Sequence, residues 1–283
     1  MRGSFDTLAL LLALAATTAL ARDIPDNLQK LVDDIRTQGK CNDVLADGFH
    51  SSDGDSGDFA YCGDHLKESK IIYLQGQNGQ FVNMDIDCDG VQGGPADDGR
   101  CQSSNDTQSQ TTFQWDVEHY NAGQKDLDAN VHPYVVFGNE GEKPNWPTFD
   151  PQKHGIEPLS IMAVVCNNQL VYGIWGDTNG DDGEEAMVGE AAISLATACF
   201  GNRMNGNFGH DDNDVLYIAF QGKDAVPGAK GAAWDASSAE AFQQSIAEQG
   251  DKLVERIGAG SAFAPSRWML AVAGGVGMVL LFF

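Results

Sequence analysis

The sequence LSIMAVVCNNQLVYGIW at residues 159–175 decides the expected fold, because two apolar runs flank the polar letters NNQ. Apolar runs on either side of an asparagine-rich turn are typical of a β-hairpin. The hairpin continues into GDTNGDDGEEAMVGE at residues 176–190, an acidic, glycine-rich loop, and a helical pattern follows. Asp177 is expected just past the second strand and Glu190 in the first turn of the helix. Two carboxylates that a strand and a helix hold at the two ends of a flexible loop can face one cavity, which suits general acid and base catalysis.

The remainder of the chain predicts helices near its ends and strands in its middle. Apolar residues at helical spacing predict a helix at residues 24–35, and the capping pattern SSAE at residues 237–240 predicts the start of another. A further helix is expected at residues 191–200. Six segments predict strands: ESKIIYLQ, GQFVNMDIDC, HPYVVFGN, SIMAVVC, LVYGIWG and DVLYIAF. We therefore predict an α+β fold with a β-rich, barrel-like core, which could be double-psi-like, and peripheral helices.

The two ends of the chain resemble processing signals around a single domain. An apolar run that closes with the small residues ALA makes residues 1–21 a predicted signal peptide. Residues 259–283 end in a hydrophobic stretch with no basic residue after it, which resembles the signal for a glycosylphosphatidylinositol anchor. A single C-terminal membrane helix is the alternative. Residues 22–258 are then one domain, and we expect it to be secreted or held at the cell surface.

Composition points to the same compartment. The six cysteines form an even set that predicts three disulfides, with their pairing left open. The sequon NDT at residues 105–107 predicts a glycan on a polar loop. The formal net charge is −24. A surface of this charge repels nucleic acid and attracts polycations.

Five segments resemble the fungal chitosanases of glycoside hydrolase family 75. They are MDIDCDG (84–90), DLDANVHPYVVFGNE (126–140), HGIEPLSIMAVVCNNQLVYGIWGDTNG (154–180), GEAAISLA (189–196) and GHDDNDVLYIAF (209–220). The resemblance implies an endo-acting hydrolase that cleaves β-1,4 bonds between the glucosamine units of chitosan with inversion. Asp177 and Glu190 match the essential pair of the family, which implies that Glu190 is the general acid and Asp177 the general base.

This mechanism places physical demands on the two acids. Inversion requires carboxyl groups roughly 6.5–9.5 Å apart, whereas a separation of about 5 Å fits a retaining enzyme. A helix N-terminus favours an ionised Glu190, but a general acid must keep its proton, so burial or nearby negative charge has to raise its pKa. The acidic run at residues 181–185 offers such charge and also leaves alternative carboxylates near the site.

A polycationic substrate also requires anionic and aromatic contacts. The alternation in DIDCD at residues 85–89 would place its acids on one face of a strand. The substrate-binding residues predicted from such patterns are Asp85, Asp87, Asp126, Asp128, Trp175 and Asp211. For each of these acids the alternative is a turn or a solubilising charge, and for Trp175 it is burial in the core.

Other chemistries fit the sequence less well. DIDCDG begins like a calcium loop, but Ala96 occupies the position of the bidentate glutamate. The six histidines form no His-x-x-x-His pair for zinc. We therefore expect no metal and no cofactor, and a monomer with chitosan instead of nucleic acid as its partner. The alternative function is a cell-wall protein that binds chitosan, or has a structural role, without turnover.

Overall fold

The computed structural model describes residues 21–104, 107–181 and 183–259. Their strands are β1 (Val44–Phe49), β2 (Phe59–Cys62), β3 (Ile71–Gln75), β4 (Val82–Asp87), β5 (Tyr134–Asn139), β6 (Ile161–Cys166), β7 (Gln169–Asn179), β8 (Glu190–Ala192) and β9 (His210–Phe220). Their α-helices are α1 (Asp26–Gln38), α2 (Gln114–His119), α3 (Ile193–Phe200), α4 (Gly228–Gly231) and α5 (Ala239–Val254). The α+β prediction is therefore confirmed.

Both predicted processing signals lie outside the described residues, apart from Ala21 and Ala259, and so do the first two residues of the sequon. None of the described helices combines the length and apolar character that a membrane span requires.

The nine strands form one sheet in the order β1-β2-β3-β9-β4-β8-β5-β7-β6, and β6 also pairs with β9. The six strands from β9 to β6 are therefore joined by hydrogen bonds in a closed sequence, while β3, β2 and β1 extend the sheet from β9. The length of β9 makes this possible, because its first half pairs with β4 and its second half with β3 and β6. The closed pairing agrees in part with the barrel-like prediction.

The predicted hairpin is present as β6 and β7. Cys166 pairs with Gln169 across the turn, and Asn167 and Asn168 have φ values of 46° and 57°. Two consecutive residues with positive φ are the mark of a type I′ turn, which asparagine tolerates. The second strand is longer than predicted, since β7 continues to Asn179 and contains Asp177.

The predicted position of Glu190 in a helical turn is wrong. Glu190 begins the short strand β8, and α3 starts only at Ile193. The reason is long-range pairing, because β8 lies between β4, to which it is parallel, and β5, to which it is antiparallel. These backbone hydrogen bonds hold the GEAA segment in an extended conformation despite its helical pattern.

Disulfides and apolar helix faces hold the periphery to the sheet. The three predicted disulfides are present and join Cys41 to Cys62, Cys88 to Cys101 and Cys166 to Cys199. The last of them connects the end of β6 to α3. The helix α5 begins as predicted, with the Ser238 hydroxyl accepting a hydrogen bond from the amide of Ala241, and it packs against β6 and β7. The helix α5 thus supports the middle of β7, where the side chain of Gln243 donates a hydrogen bond to the carbonyl oxygen of Tyr172.

Candidate active site

Four neighbouring strands place three acids in one row. Asp85 of β4 pairs with Glu190 of β8, Glu190 pairs with Val136 of β5, and Val136 pairs with Asp177 of β7. Direct cross-strand partners project from the same face of a sheet. We call Asp85, Glu190 and Asp177 the acid row. Adjacent strands lie about 4.8 Å apart, and Glu190 and Asp177 stand on the two strands that flank β5, with Val136 between them.

Asp177 is held by three hydrogen bonds to one carboxylate oxygen. Its Oδ1 accepts from the backbone N–H of Thr112 (3.0 Å), from the hydroxyl of Thr112 (2.6 Å) and from the N–H of Thr178 (2.8 Å). The side chain is only 6% exposed. Burial raises the pKa of Asp177 from 3.8 to about 6, with a smaller contribution from the charge of Asp126, although the three hydrogen bonds act in the opposite direction. The three hydrogen bonds therefore fix the orientation of the Asp177 carboxyl group, and its raised pKa allows it to take up a proton near neutral pH.

Glu190 has a different environment. It remains partly accessible, and within the part of the chain that the structure describes its carboxyl group makes no hydrogen bond. Loss of water around the carboxyl raises the pKa of Glu190 well above 4.5, and the charges of Asp87, Asp85, Asp177 and Asp89 raise it further. No hydrogen bond offsets these effects, so Glu190 holds a proton more firmly than Asp177 does.

Two further acids, Asp87 and Asp89, lie close to Asp177. The carboxylate oxygens of Asp87, Asp89 and Asp177 lie within 4.8 Å of one another, and all three side chains are buried. Burial raises the pKa of Asp87 well above 3.8, and so do the charges of Asp177 and Asp89. Like charges this close favour sharing protons. The same oxygens are the donor type that a hard cation would use.

Two of the predicted substrate-binding acids lie at the opposite end of the row from Asp177. Asp85 is half-buried and accepts a hydrogen bond from the Nδ2 group of Asn83 (3.1 Å). Burial raises the pKa of Asp85 to about 6, and the charges of Asp211 and Asp53 contribute. Asp211 is exposed near the start of β9. These acids form the accessible anionic end of the site.

The other predicted binding acids are turned inward. Asp126 accepts hydrogen bonds from the hydroxyl (2.6 Å) and the backbone N–H (3.0 Å) of Thr111. The Oδ1 of Asp128 accepts from the N–H of Asn130 (2.9 Å). Both acids are buried. Asp126 fixes the turn that carries Thr112 towards Asp177, so its visible function is positioning, and direct contact with substrate stays a prediction for both acids.

Trp175 lies in the core, which is the alternative that the sequence left open. It is 2% exposed, and its ring packs edge-on against Phe113 with the centroids 4.8 Å apart. Its indole N–H donates to the carbonyl oxygen of Asp177 (2.9 Å). Trp175 thus fixes the backbone of Asp177. Stacking of a sugar ring on Trp175 stays a prediction.

The acidic run after Asp177 is attached to neighbouring loops. Asp181 accepts a hydrogen bond from the N–H of Glu142 (2.8 Å), and Glu185 accepts one from the N–H of Gly54 (2.9 Å). These bonds give the two acids a structural use that the sequence did not predict. Sequence reasoning also missed Thr112, which reaches Asp177 from 65 positions away. No local pattern at residues 111–115 links the two segments.

Known proteins resemble this chain over most of its length. A family described as fungal chitosanase of glycosyl hydrolase group 75 matches residues 84–256, which include the whole acid row. An endo-chitosanase of Aspergillus oryzae is 49% identical over 243 residues, or 84% of this chain and 94% of the relative. An endo-chitosanase of Aspergillus fumigatus is 50% identical over 240 residues, or 84% and 93%. Endo-chitosanase B of Aspergillus oryzae is 48% identical over 249 residues, or 86% and 96%.

Proposed function

Because the chain belongs to the fungal chitosanases of glycosyl hydrolase group 75, and is therefore a glycoside hydrolase, we propose that it cleaves β-1,4 bonds between glucosamine units within chitosan. The relatives with the same extent are endo-chitosanases. The observation that carries the proposal is the acid row, in which Asp177 and Glu190 stand on strands either side of β5 with raised pKa values. The net charge of −24 favours a polycationic substrate.

The environments of the two acids support a division of roles. Three donors to Oδ1 favour the ionised form of Asp177, which suits a general base. Glu190 receives no such hydrogen bond from the residues that the structure describes and is surrounded by acids, which suits a general acid that arrives protonated. In this scheme Asp177 and Glu190 keep the roles that the family resemblance implied.

The separation of the two strands supports inversion. The two acids stand on strands that β5 separates, an arrangement that leaves room for a water molecule beside the sugar. A retaining enzyme would bring its carboxyl groups to about 5 Å. We propose a single displacement in which Asp177 takes a proton from this water as the water oxygen bonds to the anomeric carbon. Glu190 gives its proton to the glycosidic oxygen as the old bond breaks, and the reverse transfers through solvent restore both acids.

The substrate is held, in this proposal, by the accessible acids. Asp85 and Asp211 lie close enough for their charges to interact, and an ammonium group between them would relieve that repulsion. Asp87 is buried and contributes mainly through its charge and its proton. Each bound glucosamine unit thus brings a positive charge to these acids.

The experiment combines product analysis with two variants. Wild-type protein should release reducing ends from soluble chitosan, and NMR should show the α-anomer first, because inversion converts a β-linkage into an α-product. Asp177→Asn and Glu190→Gln should each lose most of the turnover while keeping the wild-type circular dichroism. If wild-type protein binds chitosan saturably without shortening it, the binding-protein alternative replaces this proposal, and an initial β-anomer would replace inversion with retention.

We also propose an extracellular site of action, because three disulfides persist in oxidising compartments. Cleavage at residue 21, a lipid anchor at the C-terminus, a glycan on the sequon and a monomeric state stay predictions. We propose further that the closed sequence of six strands is a double-psi-like barrel. Its two parallel pairs, β4 with β8 and β5 with β7, support this topology.

A further inference from the structure

Large apolar side chains are exposed at three positions of the described residues. They are Val44 (46%), Trp115 (65%) and Phe208 (54%). Val44 lies on β1, the outermost strand of the sheet. Trp115 and Phe208 lie beside opposite ends of the acid row. A single exposed apolar residue is ordinary on a protein surface, but two exposed aromatic rings beside one row of acids are placed to contact the same ligand.

Trp115 stands near the Asp177 end. Thr112 donates two hydrogen bonds to Asp177, and Trp115 follows three residues later, so their Cα atoms are at most about 11 Å apart. The Trp115 ring stacks on the His119 ring with centroids 3.7 Å apart, and Nδ1 of His119 donates to the Trp115 carbonyl (2.7 Å). One face of the indole is thus supported from within its own helix.

Phe208 stands near the Asp85 end. It closes a tight turn through two backbone hydrogen bonds with Asn205 (3.0 and 2.9 Å). The next residue, Gly209, packs directly on β4, because a Cβ atom there would lie 2.2 Å from the carbonyl oxygen of Met84 and 3.2 Å from the Cα of Asp85. Adjacent Cα atoms are about 3.8 Å apart. Phe208 is therefore mounted next to the backbone of Asp85.

We propose that Trp115 and Phe208 are two sugar-binding platforms, one on each side of the scissile bond, that take the apolar faces of glucosamine rings. This inference rests on the proposed function. Trp115 lies beyond the Asp177 end of the row and Phe208 beyond the Asp85 end, so a chain that reaches both platforms must be longer than the units at the point of cleavage. Each ring offers a stacking surface, and the ammonium groups of the polymer add cation–π attraction.

The test compares three variants in which an exposed apolar residue is replaced by alanine. Trp115→Ala and Phe208→Ala should each raise KM on long chitosan by about fivefold with kcat little changed, and Trp115→Phe should recover most of the loss. Both variants should approach wild-type behaviour on the shortest oligosaccharides that are still cleaved, since those substrates do not reach both platforms. Val44→Ala is the matched control, and its kinetics should equal those of the wild type. Thermal unfolding confirms that all variants are folded.

A binding measurement separates this inference from the proposed function. Calorimetric titration of a long glucosamine oligomer into Glu190→Gln protein, with and without each platform substitution, measures recognition without turnover. Weakened binding by both platform variants supports the platforms even if the wild type cleaves nothing, which would sink the proposed function alone. If the wild type cleaves chitosan and either platform variant binds and turns over like Val44→Ala, the proposal of two platforms is wrong and the proposed hydrolase function is retained.

Discussion

Replacing Asp177 with asparagine should abolish turnover and, at neutral pH, make the protein harder to unfold. The amide oxygen of asparagine can still accept the three hydrogen bonds from Thr112 and Thr178 that now reach Oδ1. The substitution removes the charge from a side chain that is 6% exposed. The substitution therefore removes the proposed general base and relieves the burial of a carboxylate.

The size of the stabilisation follows from the pKa of Asp177, which burial raises from 3.8 to about 6. A rise of about two units corresponds to about 3 kcal/mol, since each unit is worth about 1.4 kcal/mol. The folded state binds this proton more tightly than the unfolded chain does, so the contribution to stability is fully present below about pH 4 and is lost as the pH rises through about 6. For a domain of this size, 3 kcal/mol corresponds to roughly 6–12 °C in Tm.

The assay is thermal unfolding of wild-type and Asp177→Asn protein from about pH 4 to about pH 8. The difference in Tm should be close to zero at the acidic end, grow between about pH 4 and 6, and then level off. Asp33→Asn is the matched control, because Asp33 is an exposed acid on α1 whose Oδ1 accepts one hydrogen bond from Gln29 (3.0 Å) that asparagine can also accept. Its Tm should stay within a small, pH-independent distance of the wild type.

Three results would refute this reasoning. A variant that is less stable than the wild type at neutral pH would show that the charge of Asp177 is compensated within the fold. A stabilisation that is equally large at about pH 4 would assign the effect to packing instead of ionisation. Near-wild-type hydrolysis by Asp177→Asn would remove the residue from the mechanism altogether.

Three other substitutions test parts of the same site. Thr112→Val should raise the pKa of Asp177, because the hydroxyl hydrogen bond lowers it, so the acidic limb of the kcat/KM profile should move to higher pH while Thr112→Ser leaves it in place. Gly176→Ala should lower the free energy of unfolding in urea by about 1–3 kcal/mol and reduce kcat, since the new Cβ would lie 2.5 Å from the Cβ of Tyr134 on β5. A variant as stable as the wild type would show that β7 can shift to make room for the methyl group. Joint replacement of Cys166 and Cys199 by alanine should cost about 4 kcal/mol for a bridge spanning 33 positions, with activity retained at 25 °C, and an unchanged unfolding midpoint would contradict the bridge.

Local patterns in the sequence predicted the elements whose contacts are local. The asparagine turn between β6 and β7, the two terminal helices and the number of disulfides all depend on neighbouring residues or on composition. The strand β1 was missed because its side chains do not alternate cleanly between buried and exposed, and its pairing with β2 contains register irregularities. Glu190 was assigned to a helix because the pairing of β8 with β4 and β5 comes from distant parts of the chain.

The candidate site divides in the same way. The sequence predicts Asp177 and Glu190 as the catalytic pair, and their placement on strands either side of β5 follows from register that no single segment contains. The hydrogen bonds from Thr112 and the crowding by Asp87 and Asp89 were not predictable from the sequence. Each depends on the tertiary fold, which brings a distant turn or strand end next to Asp177. These long-range contacts are also what sets the pKa values of the acids.

The proposed roles of the two acids depend on this difference in surroundings more than on burial. Burial raises the pKa of both, so burial alone would leave two protonated acids and no base. Three hydrogen bonds to Asp177 oppose that effect, whereas none from the described residues opposes it at Glu190, and the negative charge of Asp177 in turn raises the pKa of Glu190. An ionised base thus helps its partner to hold a proton. A cationic sugar in the cleft would lower the pKa of both acids, so the unusually high values in the free protein are suited to a substrate that carries positive charge into the site.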